Sequence, residues 1–221
     1  MLEEALVKRL PGAELRAQRL PIVPEIELFL LADTMSAREL PHELAASLMQ
    51  DPLYWVFCWA SGQVLARYLL DRPETVAGKA VLDFGSGSGV VAIAAAMAGA
   101  RRVIACDIDP LAQVAIARNA ESNGVALEIV DSIASVTTEL DLILVADVLY
   151  DRENLPLLDH FLERASCVLV ADSRIRDFDY PPYEKITERE SRTQPDLDES
   201  SEFNRVSLYS AVGDYRKSFG C

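Results

Sequence analysis

The sequence predicts an α/β fold: a doubly wound, mostly parallel sheet of seven strands that ends in an antiparallel hairpin, sandwiched between helices in three layers. Three observations predict it. From about residue 79 onward, short β-rich runs alternate with helical stretches. The runs are apolar on both faces, as a sheet covered on two sides requires. And "VLDFGSGSGVVAIAAAMAGA" (81–100) passes from strand to helix through three glycines in five positions, Gly85, Gly87 and Gly89.

The strands read in order as "AVLDF" (80–84), "RVIACD" (102–107), "ALEIVD" (126–131), "DLILVAD" (141–147) and "CVLVAD" (167–172). Between them, Asp109 is placed to cap a helix whose first residue is Pro110, and Asn123-Gly124 ends it. Residues 152–165 carry Leu155, Leu158, Phe161 and Leu162 at helical spacing, a core-facing stripe. "EKITERES" (184–191) and "RVSLYSAV" (205–212) form the closing hairpin, joined by the polar stretch "TQPDLDESSEF", which the sequence predicts as a mobile tip. Residues 1–50 are less regular, and 51–71 introduce a helix packed beside the sheet.

A chain of 221 residues, half of them hydrophobic, can bury one sizeable core. Its net charge of −14 argues against nucleic-acid and anionic-membrane surfaces, which need clustered Lys and Arg. Cys58, Cys106, Cys167 and Cys221 are far apart with no metal spacing, and His42 and His160 are the only histidines. No metal site is expected, and buried reduced thiols indicate a reducing compartment. No stretch approaches a membrane span, and Glu3 and Glu4 stand where a signal or transit peptide avoids acid. The expected location is cytoplasmic, and the expected state a monomer.

The glycine turn sits where a strand hands over to a helix N-terminus, the usual place for a ligand in such sheets. The spacing is G-x-G-x-G, and Val90 stands where a dinucleotide fingerprint needs its last glycine. Asp83 just before the turn would repel a pyrophosphate but suits an ammonium and a sulfonium. S-adenosylmethionine carries both. Asp107, ending the next strand, can accept both ribose hydroxyls, and Asp131, ending the third, can accept the adenine amine. A single strand-end aspartate is often only a helix cap; the ordered set points to a ligand.

With those residues in place, the chain resembles class I (seven-β-strand) S-adenosylmethionine-dependent methyltransferases with a Rossmann-like sheet, across roughly residues 55–213. "DVLYD" (147–151) matches the Asp-x-x-Tyr signature of the seven-strand protein lysine methyltransferases. "DPLYWVFCWASGQVLARYLLD", "VAGKAVLDFGSGSGVVAIAAAMAGA", "DIDPLAQVAIARNAESNGV" and "VPEIEL" resemble the electron transfer flavoprotein β-subunit lysine methyltransferase family. The family pattern departs at two places. Its tryptophan is followed by Pro-Gly-Gly-Gln, where this chain has Ala60, Ser61, Gly62 and Gln63. After the fifth strand it often shows Gly-Asp-Pro, where this chain has Ala171, Asp172 and Ser173.

The resemblance implies a methyltransferase domain over 51–221, with 1–50 as an N-terminal extension packing on it. It implies S-adenosylmethionine held by Trp59, Asp83, Gly85, Ser86, Gly87, Gly89, Asp107, Ile108, Asp131, Ser132 and Ala146, and catalysis at Asp147 and Tyr150. The implied partner is a protein substrate, electron transfer flavoprotein β-subunit. The same cofactor half would serve a small-molecule N-methyltransferase acting on a nicotinamide-like compound or a free amine, and that alternative stays open.

Methyl transfer to an amine is an in-line displacement, helped by alignment and by removing water from the nucleophile. The amine must be neutral, although lysine titrates at about 10.4 in water. Asp147 is expected to position it and Tyr150 to line its channel; the plainer reading is an N-cap and a packed Tyr. Trp55, Phe57 and Trp59 can stack on adenine or guide an alkylammonium, while core packing accounts for at least one of them. Gln63 reads either as a ligand contact or as a surface residue.

Overall fold

The structure, a computed structural model, describes residues 2–32, 53–149, 152–175, 178–197 and 199–213. Tyr150, His42 and Cys221 lie outside the described residues.

The chain opens with helix α1 (Leu2–Arg9) and an antiparallel pair, β1 (Leu15–Arg19) and β2 (Glu27–Leu31). Helix α2 (Ala60–Asp71) leads into β3 (Ala80–Phe84), α3 (Val90–Met97), β4 (Arg102–Cys106), α4 (Pro110–Ser122), β5 (Glu128–Val130) and β6 (Leu140–Ala146). Helix α5 (Leu157–Arg164), β7 (Ala165–Asp172), β8 (Glu184–Glu190) and β9 (Arg205–Val212) complete it. The stripe at 152–165 becomes helical only from Leu157, after a 3₁₀ turn at Arg152–Asn154.

The main sheet has the order β5-β4-β3-β6-β7-β9-β8, with β3 to β7 parallel and β9 antiparallel to both its neighbours. Winding runs outward from β3 to β5 and then resumes on the other side of β3 with β6. The gap between the carboxyl ends of β3 and β6 is therefore the switch point, where such sheets leave a crevice.

Side chains alternate between two apolar layers. Val103 and Ala105 of β4, Leu142 and Leu144 of β6, and Leu169 and Ala171 of β7 pack with α2, α3 and Ile116 of α4. Ile104, Ile143, Val145, Val168 and Val170 face the other way, toward Leu158 and Phe161 of α5 and Tyr183. This is the two-sided burial that the continuous apolar runs encode.

Helix α4 starts and stops as its sequence dictates: Asp109 Oδ1 accepts from Leu111 N at 2.8 Å, and Gly124 turns away at φ 66°. The N-terminal pair is fastened to the same helix. Asn119 Oδ1 accepts from Phe29 N at 2.8 Å, and Asn123 Oδ1 accepts from Glu27 N at 3.0 Å. Leu20, Val23, Ile26, Leu28 and Leu30 join the layer that contains α2 and α3. None of the helices among the described residues is long and apolar enough to cross a membrane.

The loop between β8 and β9 is not the free tip that its polarity suggests. Cys58 and Gln194 exchange two backbone hydrogen bonds, at 2.7 and 2.8 Å, and Thr193 is buried. Backbone pairing to the segment before α2 holds the start of the loop down, which its side chains could not announce.

Candidate active site

The glycine turn is built from behind. All three glycines have positive φ, at 68°, 54° and 85°. At Gly85 a Cβ would meet Val148 Cγ2 at 2.9 Å, so the residue is glycine because β6's loop presses on it. Gly87 differs: the nearest atom to a Cβ there is Gly85 O at 3.9 Å, so its outer side is open. Gly85 thus faces a wall of the chain's own, and Gly87 faces open space that could receive a ligand.

Four of the turn's five amides are engaged within the chain. Gly85 N and Ser86 N donate to Cys106 O at 2.9 and 3.1 Å, Gly87 N to Asp107 Oδ2 at 2.8 Å, and Gly89 N to Ser86 O at 2.8 Å. A phosphate binds such a turn through free N–H groups. These four are spent on β4 and on the turn itself.

Carboxylates reinforce the preference for a cation. Asp83 is 1% exposed, and its Oδ2 accepts from Ser86 Oγ at 2.6 Å and Ala92 N at 3.1 Å. Burial pushes its carboxyl up to about 7, with the Asp107 charge adding to the effect. Asp83 therefore holds the turn and the first turn of α3 from inside rather than standing at the ligand surface. Asp107, raised by burial as well, also accepts from Asp109 N at 3.0 Å. Ile108 beside it is 86% exposed, an apolar side chain with nothing of the chain over it. Asp131 is exposed, and the neighbouring Ser132 caps a short 3₁₀ turn by accepting from Ala134 N at 3.2 Å. Ala146, half-buried, ends β6. A ligand with a positive charge, hydroxyls and a flat apolar part fits this set of groups.

Asp147 follows at the switch point in the left-handed region, φ 52°, rare for a residue with a side chain. Its carboxyl lies on the N-terminus of α2. Ser61 N donates to Oδ2 at 3.0 Å, and Ser61 Oγ donates to Oδ1 at 2.5 Å. Ser173 Oγ adds a third bond to Oδ1 at 3.3 Å. Trp59, the residue before α2, offers no side-chain cap, so Asp147 from another element supplies one. It is an N-cap after all, but of a helix distant in sequence. Burial pushes the carboxyl up to about 7, the Asp172 charge pushes the same way, and the Ser61 bonds oppose it.

Both departures from the family pattern, at Ser61 and Ser173, thus converge on one oxygen. Sequence spacing could not pair them, because they come from α2 and from the end of β7. Asp172, also raised by burial, accepts from Arg174 N at 2.7 Å and Ile175 N at 2.8 Å.

The aromatic cluster divides. Trp55 is fully buried among α1 and α4 residues and is core. Trp59 is partly exposed, with Nε1 donating to Tyr54 O at 3.2 Å and its ring meeting Phe57 edge-on at 5.6 Å. The Arg174 guanidinium lies 5.7 Å from the Trp59 ring and 4.2 Å from that of Phe203, and pairs with Glu199. Gln63 is neither a surface residue nor placed at the turn: it is fully buried, with Nε2 donating to Arg192 O at 2.6 Å and Cys58 O at 3.3 Å. Asn119 went unremarked in the sequence, yet its Nδ2 donates to Ser88 O at 2.8 Å and ties the turn to the N-terminal pair. Two asparagines one helical turn apart in "ARNAESNGV" were the available signal. No group of His, Cys, Asp and Glu among the described residues could hold a metal ion.

The chain is similar to several known proteins. Residues 64–171 match the model of the ribosomal protein L11 methyltransferase (PrmA) family. The human electron transfer flavoprotein beta subunit lysine methyltransferase is 40% identical over 151 residues, 65% of this chain and 55% of that protein. The Danio rerio protein of the same name is 50% identical over 105 residues, 46% of this chain and 40% of its own length. The chain spans about half the length of the curated relatives it matches. Among solved structures, the magnesium protoporphyrin IX methyltransferase of Synechocystis with bound SAH aligns with a TM-score of 0.53 at 15% identity, over 70% of this chain and 84% of that one. That likeness is one of fold.

Proposed function

We propose that this chain is an S-adenosylmethionine-dependent protein-lysine N-methyltransferase, with electron transfer flavoprotein β-subunit as its substrate. One observation carries the reading: the glycine turn at the switch point has four of its five amides bonded from within, carboxylates around it and an open side at Gly87. Such a cradle suits a cationic donor and not a phosphate. The relatives that match at 40–50% identity bear the name of that lysine methyltransferase.

Gly87 and Ser86 would receive the donor's amino-acid end, Asp107 its ribose hydroxyls, and Ile108, Asp131 and Ser132 its base, with Trp59 and Ala146 bordering the pocket. When bound, the donor supplies an electrophilic methyl group on a sulfonium, so transfer needs neither a metal nor a covalent enzyme intermediate.

Asp147 would hold the incoming amine. A fully ionised carboxylate there would favour the ammonium form, which cannot attack. A carboxyl titrating near 7 accepts an N–H bond with a weaker bias of that kind. Ser61 and Ser173 fix its orientation. Tyr150, three residues on, would line the channel. A −14 chain also attracts a lysine-bearing surface.

The test is incubation with labelled donor and purified electron transfer flavoprotein β-subunit, followed by mass spectrometry. Methylated lysine on that protein is the expected result. Label on another protein, or on a small amine alone, removes the substrate assignment.

A further inference from the structure

Asp172 ends β7 beside the residue that follows β6. Ala146 and Ala171 are partners across the two strands, and Asp147 N donates to Ala171 O at 3.1 Å, so Asp147 and Asp172 leave the sheet as neighbours. Asp172 is buried. Its Oδ1 accepts from Arg174 N at 2.7 Å and Ile175 N at 2.8 Å, which folds the turn after β7. That turn delivers Ser173 Oγ to Asp147 Oδ1 at 3.3 Å and sets the Arg174 guanidinium beside Trp59.

The turn needs one acceptor oxygen, and an asparagine carbonyl would serve it equally well. A carboxylate is the more costly choice, because burying a charge costs more than burying an amide. The second oxygen, Oδ2, is buried with no hydrogen bond to offset that cost. Protonating Oδ2 would leave a hydroxyl with no acceptor. Burial works against ionisation of Asp172, while the two backbone bonds and the Arg174 charge work for it. The negative charge is something the turn itself does not require.

What the charge faces is Asp147. Among the described residues, the other titratable and charged groups around that carboxyl are the Cys58 thiol and the Arg174–Glu199 pair. Burial pushes the Cys58 thiol up, so it stays neutral. Arg174 shares its charge with Glu199, and its pull on Asp147 is weaker than the push from Asp172. Asp172 therefore dominates the charge that Asp147 meets.

We propose that Asp172 is a positioning residue for methyl transfer: its carboxylate carries Ser173 to Asp147, and its charge opposes ionisation of that carboxyl beside the substrate amine. The role rests on the methyltransferase reading given above. An Asp147 ionised only in part leaves the amine a larger share of its neutral form, the form that attacks the sulfonium. Without the Asp172 charge, Asp147 ionises more readily and holds the substrate as an unreactive ammonium ion pair. Asp147 touches the amine and Asp172 does not, so the change at Asp147 decides the sign.

Asp172→Asn keeps the acceptor oxygen and removes the charge. Carboxyl ¹³C NMR of the free chain, with Asp147→Asn to identify the signal, should show Asp147 titrating about one pH unit lower in Asp172→Asn. The Tm of that variant should stay close to the wild type's, whereas Asp172→Ala strips Arg174 N and Ile175 N of their acceptor and should lower it. In methyl transfer to purified electron transfer flavoprotein β-subunit, Asp172→Asn should lower kcat about threefold or more at neutral pH and lower KM with it. The rising limb of kcat should move to higher pH, so that wild-type turnover returns at about pH 9. An Asp147 titration that does not move, kcat curves that coincide, or a loss equal at every pH overturns the inference. A titration that moves as expected in a chain that transfers no methyl group removes the methyltransferase reading, and the role with it.

Discussion

Ser61 meets Asp147 twice, its amide at 3.0 Å on Oδ2 and its hydroxyl at 2.5 Å on Oδ1. The carboxyl proposed to hold the substrate amine is thus also the cap of α2. Asp147→Ala should lower stability by about 1–2 kcal/mol, through the lost cap and the strain of a left-handed alanine. Asp147→Asn tolerates that backbone and should keep most of the stability while losing turnover. Thermal unfolding and methyl-transfer assays on both variants check this.

The two outer conditions on the turn predict different failures. Gly85→Ala drives a Cβ into Val148 at positive φ, so Tm should fall. Gly87→Val meets open space on the protein side and should fold with a smaller loss, about 1–2 kcal/mol of backbone strain. It should nevertheless abolish donor binding, because the branched side chain enters the cradle. Unfolding curves and calorimetry on the pair distinguish the two.

Asp107→Ala should weaken donor binding by about 1–3 kcal/mol, the cost of losing hydrogen bonds to a charged group. It also frees Gly87 N and Asp109 N, which loosens the turn. An unchanged affinity would remove the ribose assignment.

Stability should depend on pH through Asp83 and Asp147. An unfolded aspartate titrates near about 3.9, and burial raises these two to about 7. Between those values the folded chain keeps protons that the unfolded chain has released. Their contribution is full below the unfolded value and is lost as pH rises through 7. The Tm of the wild type relative to Asp83→Asn should therefore fall between pH 5 and 8, followed by calorimetric scans.

Asn119→Ala removes a side chain that joins Phe29 N to Ser88 O inside the protein. A loss of about 2–4 kcal/mol is expected, from two broken bonds and the amide and carbonyl left unpaired. Urea titration measures it.

Four of the five parallel strands were legible because each is a largely apolar run closed by an aspartate or glycine, and α4 because its cap and stop are local; β5, expected over 126–131, is only Glu128–Val130 and is nowhere fully buried. The turn was legible because glycine spacing reports backbone geometry directly. What stayed hidden depends on contacts between distant segments. Strand β1, "LRAQR", is exposed and half-exposed along its length and has no apolar face to betray it. Gln63 reads as a ligand contact or a surface residue until Arg192 and Cys58 present their carbonyls to it. The pairing of Ser61 and Ser173 on Asp147 exists only once α2 and β7 are laid against β6.

The central claim is that the turn at Gly85–Gly89 accepts a sulfonium donor and refuses a pyrophosphate. Calorimetric titration of the chain with S-adenosylmethionine, and separately with NAD, tests it most directly. One molecule of S-adenosylmethionine should bind per chain, with no heat from NAD. Binding of NAD, or no binding of S-adenosylmethionine, would contradict it.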